Sequence, residues 1–240
     1  MFIRNKMSFD FENDHPLKLT MTVSSCQLGL LLTKLYNYEP GIHDQIKSHF
    51  IFFKPKNREE LKIAIDCWCR DETLAKKKYG PVGQWDVSEV DDMSEMFSRC
   101  RFNGDISRWN VGNVVDMSEM FKESQFNGDI SRWNVGNVVD MSEMFKESQF
   151  NGDISRWNVS NVTDMYKMFS RSHFNGNISQ WNVGNVTNMS IMFYWSQFNG
   201  DISQWDVGNV TDMHWMFAQS QFNGDIGQWN VSNVIICVSY

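Results

Sequence analysis

From Phe102 onwards the apolar positions return on a fixed schedule. In residues 102–125, FNGDISRWNVGNVVDMSEMFKESQ, they fall at Phe102, Ile106, Trp109, Val111, Val114, Met117, Met120 and Phe121, and residues 126–149 repeat the segment letter for letter. Aligned on tryptophan, the frame gives Trp85, Trp109, Trp133, Trp157, Trp181, Trp205 and Trp229, each 24 residues after the last. A period of this length marks units that cannot bury an apolar face alone and become stable by stacking on their neighbours. The pattern therefore predicts an α+β repeat solenoid, a leucine-rich-repeat-like stack of about seven 24-residue coils, the last incomplete. Within a coil, the β-branched and aromatic positions of residues 106–111 predict a short strand, with strands of successive coils paired in parallel ~4.8 Å apart. Asp116-Met117-Ser118-Glu119 has the form of a capping box, which predicts a helical turn over residues 117–123. Asn103-Gly104 is expected to turn the corner with a positive φ at the glycine.

Comparison between copies narrows the roles of the polar columns. Where one coil has Asp105 and Asp116, a later one has Asn177 and Asn188, which keep the hydrogen-bonding shape and lose the charge. Capping and turn bonding survive that exchange, whereas a metal loop needs several converging oxygens, so a structural role is expected and no metal. Asn113 recurs as Asn137, Asn161, Asn185, Asn209 and Asn233, and is expected to be a column of buried amides bonded to backbone at the coil corners. Arg108, Arg132 and Arg156 give way to Gln180, Gln204 and Gln228, an outward polar column.

Units of the form W-N-V-S/G-N-V-T-D-M-x-x-M-F-x-x-S-x-F-N-G-D-I-S resemble the BspA-like leucine-rich-repeat surface proteins, specifically the repeat first described as a domain of unknown function in mycoplasma proteins. The resemblance covers about residues 53–234, including a segment before the first tryptophan that is similar to one often preceding such arrays. It implies a leucine-rich-repeat-like fold and surface display, adhesion or protein binding, with no catalytic residues and no cofactor.

Three segments follow from the pattern: a head of unknown fold at 1–55, a helical cap at 56–80 and the repeats at 81–240. In the head, residues 17–23 alternate weakly like a strand and 27–36 suit a helix, while His43 and His49 lack a third ligand. In the cap, Asn57-Arg58-Glu59-Glu60 is a second capping box, Leu61, Ala64, Ile65 and Trp68 share one helix face, and a further helix is expected from Asp71 to Gly80. Such a cap covers the core that the first coil of an array would expose. The cysteines, Cys26, Cys67, Cys69, Cys100 and Cys237, are odd in number and unpatterned, which predicts free thiols in a reducing compartment. The start lacks the apolar core of a signal peptide, which favours an intracellular protein, whereas the family resemblance favours the surface. No stretch is long and apolar enough for membrane insertion. The seventh coil departs from the frame after Val234 and ends in an apolar tail.

Charge divides along the chain: residues 78–240 hold 10 Lys+Arg against 19 Asp+Glu, and residues 1–77 hold 12 against 10. An array this acidic is unsuited to nucleic acid and favours basic or neutral partners. No phosphate-cradling glycine loop, activated nucleophile or ligand-spaced histidine set is present, so no enzyme is expected. Binding belongs to the positions that differ between coils. Ser118/Glu119 and Lys122/Glu123 become Tyr166/Lys167, then Ile191 with Tyr194/Trp195, then His214/Trp215. Tyr166, Ile191, Tyr194, Trp195, His214 and Trp215 are therefore expected to gather into an exposed patch for an unidentified protein partner. The alternative is a carbohydrate-binding or adhesion module, in which the tryptophan column would be an open ladder for sugar rings.

Overall fold

The computed structural model describes residues 53–235, all within one compact unit, Ser48–Tyr240. The expectations for residues 17–23 and 27–36, for His43 and His49, for Cys26 and Cys237 and for the apolar tail from 236 lie outside the described residues.

The cap forms where the sequence places it. Helix α1 (Arg58–Arg70) starts at Asn57, whose side chain accepts the Glu60 N–H at 3.0 Å. The Glu60 carboxylate accepts from Lys56 N at 3.0 Å, one residue earlier than a reciprocal capping box would have it. Helix α2 (Glu72–Tyr79) is capped by Asp71, which accepts from Leu74 N, and closes at Gly80 with φ 74°. The apolar face of α1 buries Leu61, Ala64, Ile65 and Trp68. Trp68 meets the first coil edge-on, with ring centroids 5.8 Å from Trp85 and 6.4 Å from Phe102. Arg58 adds a hydrogen bond to the Ser94 carbonyl at 2.8 Å.

Past a short 3₁₀ turn, Val82–Gln84, the described residues contain no further helix and no strand. This overturns the expected α+β architecture: there is no parallel sheet, and no helical turn per coil. Each coil is instead a series of tight turns, and the side chains explain why. Asp105 accepts from Ser107 N at 3.0 Å, Asn110 from Gly112 N at 3.2 Å and Asp116 from Ser118 N at 2.8 Å. Bonding two residues ahead is the habit by which Asp and Asn draw the backbone into turns, and at these intervals it leaves no run long enough for a strand. Trp109 N bonds back to Ile106 O, closing a turn where a strand was expected. In the same way, Asp116 caps no helix, because Glu119 has φ 55° and ends any helical path.

Neighbouring coils are joined by hydrogen bonds one repeat apart. Met117, Glu119, Phe121 and Glu123 donate to the carbonyls of Asp140, Ser142, Met144 and Lys146, while Met120, Lys122 and Ser124 bond three residues back within their own coil. Isolated parallel bridges link Asp92, Asp116, Asp140, Asp164, Asn188 and Asp212 in succession. Half of the N–H groups that would propagate a helix are thus given to the next coil.

The eight apolar positions of the repeat are all interior in the coils from residue 102 to 197, and they open toward the last coil, where Ile226 and Val231 are exposed. Phe121, Phe145 and Phe169 stack almost parallel, with centroids 5.6 and 5.7 Å apart. Gly104 and its equivalents do not have positive φ, since Gly80 is the one such glycine among the described residues. Glycine is needed there for room: a Cβ on Gly128 would lie 2.8 Å from the Phe126 ring. The Asn113 column does bond to backbone, Asn113 to Ser88 O at 2.8 Å and Asn137 to Gly112 O at 2.7 Å, but it is exposed rather than buried.

The cysteine expectation is also corrected. Cys69, at the end of α1, and Cys100, in the first coil, form a disulfide with their Cα atoms 6.4 Å apart, while Cys67 is free. Pairing follows from docking of the cap onto the coil, which a spacing of 31 residues does not announce.

Candidate interaction surface

One side of each coil, residues 118–125 and their equivalents, carries the variation. Two columns on it have left-handed backbone: Glu95, Glu119, Glu143, Lys167, Ile191 and Trp215 in one, and Arg99, Glu123, Glu147, Arg171, Trp195 and Gln219 in the other, with φ between 51° and 59°. Few non-glycine residues adopt this conformation, and a β-branched one such as Ile191 is an outlier.

In the earlier coils this side is laced by ion pairs. Arg99 meets Glu123 at 3.1 Å, and Lys122 reaches both Glu119 at 2.7 Å and Glu143 of the next coil at 2.6 Å. Lys146 lies 3.0 Å from Glu143. Burial pushes the Glu143 carboxyl up, but hydrogen bonds from Lys122 and Lys146 outweigh it and hold the group below its ordinary value. Burial likewise lowers Lys122, and its two glutamates more than reverse this. Asp164, in the column of turn-forming carboxylates, goes the other way. Burial raises it, and the Tyr166 N–H only partly offsets that.

In the later coils the same slots hold aromatic rings. The position of Lys122 is taken by Tyr194 and that of Glu143 by Trp215, so an aromatic pair replaces an interlocking ion pair, with centroids 6.5 Å apart and planes 25° from parallel. Trp195 lies 6.5 Å from Tyr194, and His214 lies 6.0 Å from Trp215 with its Nδ1 2.7 Å from Asp212 Oδ1. Trp195 and Trp215 are 58% and 51% exposed. Residues 190–197 and 214–221 carry no Lys, Arg, Asp or Glu.

A family profile described as "Mycoplasma protein of unknown function, DUF285" matches residues 71–173 and 147–239, well over half of the chain. The chain belongs to the DUF285 family. No curated protein and no solved structure matches it. Two overlapping matches within this DUF285 chain accord with a unit that recurs, and the second spans the aromatic side chains from Tyr166 to Trp215.

Of the six residues expected to cluster in this DUF285 protein, Tyr194, Trp195, His214 and Trp215 are brought together. Ile191 is half-buried in the same left-handed column as Trp215. Tyr166 stands apart, two coils before His214 in its column, with its ring under the Lys167 ammonium at 4.6 Å. The tryptophan column is interior from Trp85 to Trp205, and Trp229 in the last coil is half-buried. Trp85, Trp109, Trp133, Trp157, Trp181 and Trp205 are 3–4% exposed, and each indole N–H from Trp109 onwards donates to a carbonyl 27 residues earlier, as Trp133 does to Ile106 O at 3.1 Å. Their faces are spent on neighbouring rings.

Sequence reasoning missed the cleft beside Trp195, a space of ≈ 470 Å³ lined by Arg171, Ser172, His173, Trp195 and Gln197. The signal was present. Arg171 stands where the two preceding coils have Glu123 and Glu147 and the first has Arg99, and His173 stands in a column that otherwise reads Arg101, Gln125, Gln149, Gln197 and Gln221.

Proposed function

We propose that this DUF285 chain is a non-enzymatic repeat scaffold for protein–protein interaction, with its contact surface at Tyr194, Trp195, His214 and Trp215. The observation that carries the reading is the placement of two half-exposed tryptophans on left-handed backbone. A bulky side chain there costs conformational energy, and no packing requirement explains it when half of the ring faces solvent. Large aromatic side chains preset by stacking are also what interface hot spots are made of. The buried tryptophan column supports this reading over the alternative, a carbohydrate-binding or BspA-like adhesion module, because that column offers no ladder to sugars.

The test compares the full chain with a Trp195→Ala/Trp215→Ala variant of unchanged circular dichroism, each used to capture proteins from the cells of its origin and also applied to a glycan array. Proteins retained by the first and lost by the second support the proposal. Retention of the same set by both, or dependence on the two tryptophans seen only with glycans, overturns it.

A further inference from the structure

The array as a whole is acidic, yet the edge of the aromatic patch is not. Arg171 replaces a glutamate of the two preceding coils, and its guanidinium is held 5.8 Å from the centroid of the Tyr194 ring. Its ionic partner, Glu147, lies at 3.9 Å, whereas Lys122 in the earlier coils has two carboxylates within 2.7 Å. The side chain is well exposed and opens onto the cleft shared with His173, Trp195 and Gln197.

The other carboxylates near the patch are already engaged. Glu143 is bonded by Lys122 and Lys146, and Asp212 accepts from the His214 N–H at 3.0 Å as well as lying against the His214 ring. Past Arg171, the two following coils add no Lys, Arg, Asp or Glu to this side. A cation with spare hydrogen-bonding capacity therefore borders an uncharged aromatic floor. Guanidinium groups bind carboxylates with two parallel hydrogen bonds, and a ring lying beside one does not use those donors.

We propose that this edge selects the partner: the scaffold recognises a protein segment in which an Asp or Glu sits next to an apolar or aromatic residue, the carboxylate on Arg171 and the apolar group on Trp195 and Trp215. This rests on the reading that the aromatic patch is the contact surface. It departs from the preference for basic partners that net charge suggests, because at physiological salt charges beyond ~8 Å are largely screened, and within that range the Arg171–Glu147 contact at 3.9 Å is too long to occupy the guanidinium's hydrogen-bond donors.

The experiment selects a displayed random peptide library on the full chain, on Arg171→Ala and on Trp195→Ala/Trp215→Ala, all three confirmed folded by circular dichroism. The enriched peptides are then titrated at low and high salt. The expected peptides carry an acidic residue beside an aromatic or aliphatic one, bind Arg171→Ala about tenfold more weakly, a difference near 1.4 kcal/mol, and lose their salt dependence with it. Replacing the peptide's carboxylate by its amide should cost wild type that same factor and cost Arg171→Ala nothing. Peptides that need the two tryptophans but show no acidic preference and bind Arg171→Ala equally overturn the carboxylate assignment and leave the patch standing. Failure to enrich any peptide that depends on the tryptophans overturns the patch, and this inference with it.

Discussion

Ile191, with φ 59°, occupies a conformation that a β-branched side chain adopts only at a cost. Left-handed backbone disfavours an ordinary residue by roughly 1–2 kcal/mol, and asparagine tolerates it far better. Ile191→Asn should therefore raise the melting temperature by ~2–4 °C, corresponding to about 1 kcal/mol in an array of this size. A drop would mean that its half-buried side chain matters more than its backbone. Asp164 makes the complementary case in charge. Because burial holds its folded pKa above the ordinary value, the stability attached to it is present below that ordinary value and is lost as pH rises through the raised one. Asp164→Asn should raise the melting temperature at neutral pH, with the gain vanishing below pH ~4, where the aspartate is protonated in both states. Asn188 already occupies the equivalent site in the next coil and makes the same turn bond, to Ser190 N at 3.0 Å.

At the scale of the element, which residues face inward was legible, and what backbone carries them was not. All eight apolar positions read from residues 102–125 are buried, because inside and outside follow from hydrophobicity alone. The strand and the helical turn failed because Asp105, Asn110 and Asp116 each bond two residues ahead, and Glu119 is left-handed. Propensity cannot weigh such turns against bonds to a coil 24 residues away. At Gly104 it is space that requires glycine, not the positive φ that the Asn-Gly pair predicts. It follows that Gly128→Ala, which would drive a Cβ to 2.8 Å from a Phe126 ring stacked between Phe102 and Phe150, should cost ~1–3 kcal/mol by thermal or urea unfolding. A neutral result would show the ring free to shift. The cap, by contrast, was legible in detail, since Asn57 and Asp71 act locally. Its disulfide was not, because pairing is a tertiary event. Closing a loop of 31 residues with a cross-link is worth ~3–4 kcal/mol. Dithiothreitol or Cys69→Ser/Cys100→Ser should lower the melting temperature accordingly, and an unchanged melting curve would contradict the clasp.

Over the whole array, repetition separates what the fold needs from what it does not. Positions held constant from coil to coil are packing or turn positions, and the exchange of charged for aromatic side chains, from the Lys122–Glu143 pair to the Tyr194–Trp215 stack, falls on one side. The aromatic cluster could be read from the sequence because stacking by 24 residues brings equivalent positions together. Arg171 and His173 escaped notice because each is unremarkable until its column is compared and its cleft is seen. Tyr166 lies two coils before His214, and its ring meets the Lys167 ammonium.

The central claim is that the chain keeps Trp68 and the tryptophan column from Trp85 to Trp205 interior, leaves Trp229 half-buried in the last coil, and presents Trp195 and Trp215. Acrylamide quenching of intrinsic fluorescence in the wild type and in Trp195→Ala/Trp215→Ala tests this most directly. The account predicts that the variant keeps its melting temperature, shifts its emission to the blue and loses most of the quenchable fraction. Emission that stays red-shifted and freely quenched in the folded variant would mean that the column is open to solvent, and would contradict both the buried ladder and the binding surface built upon it.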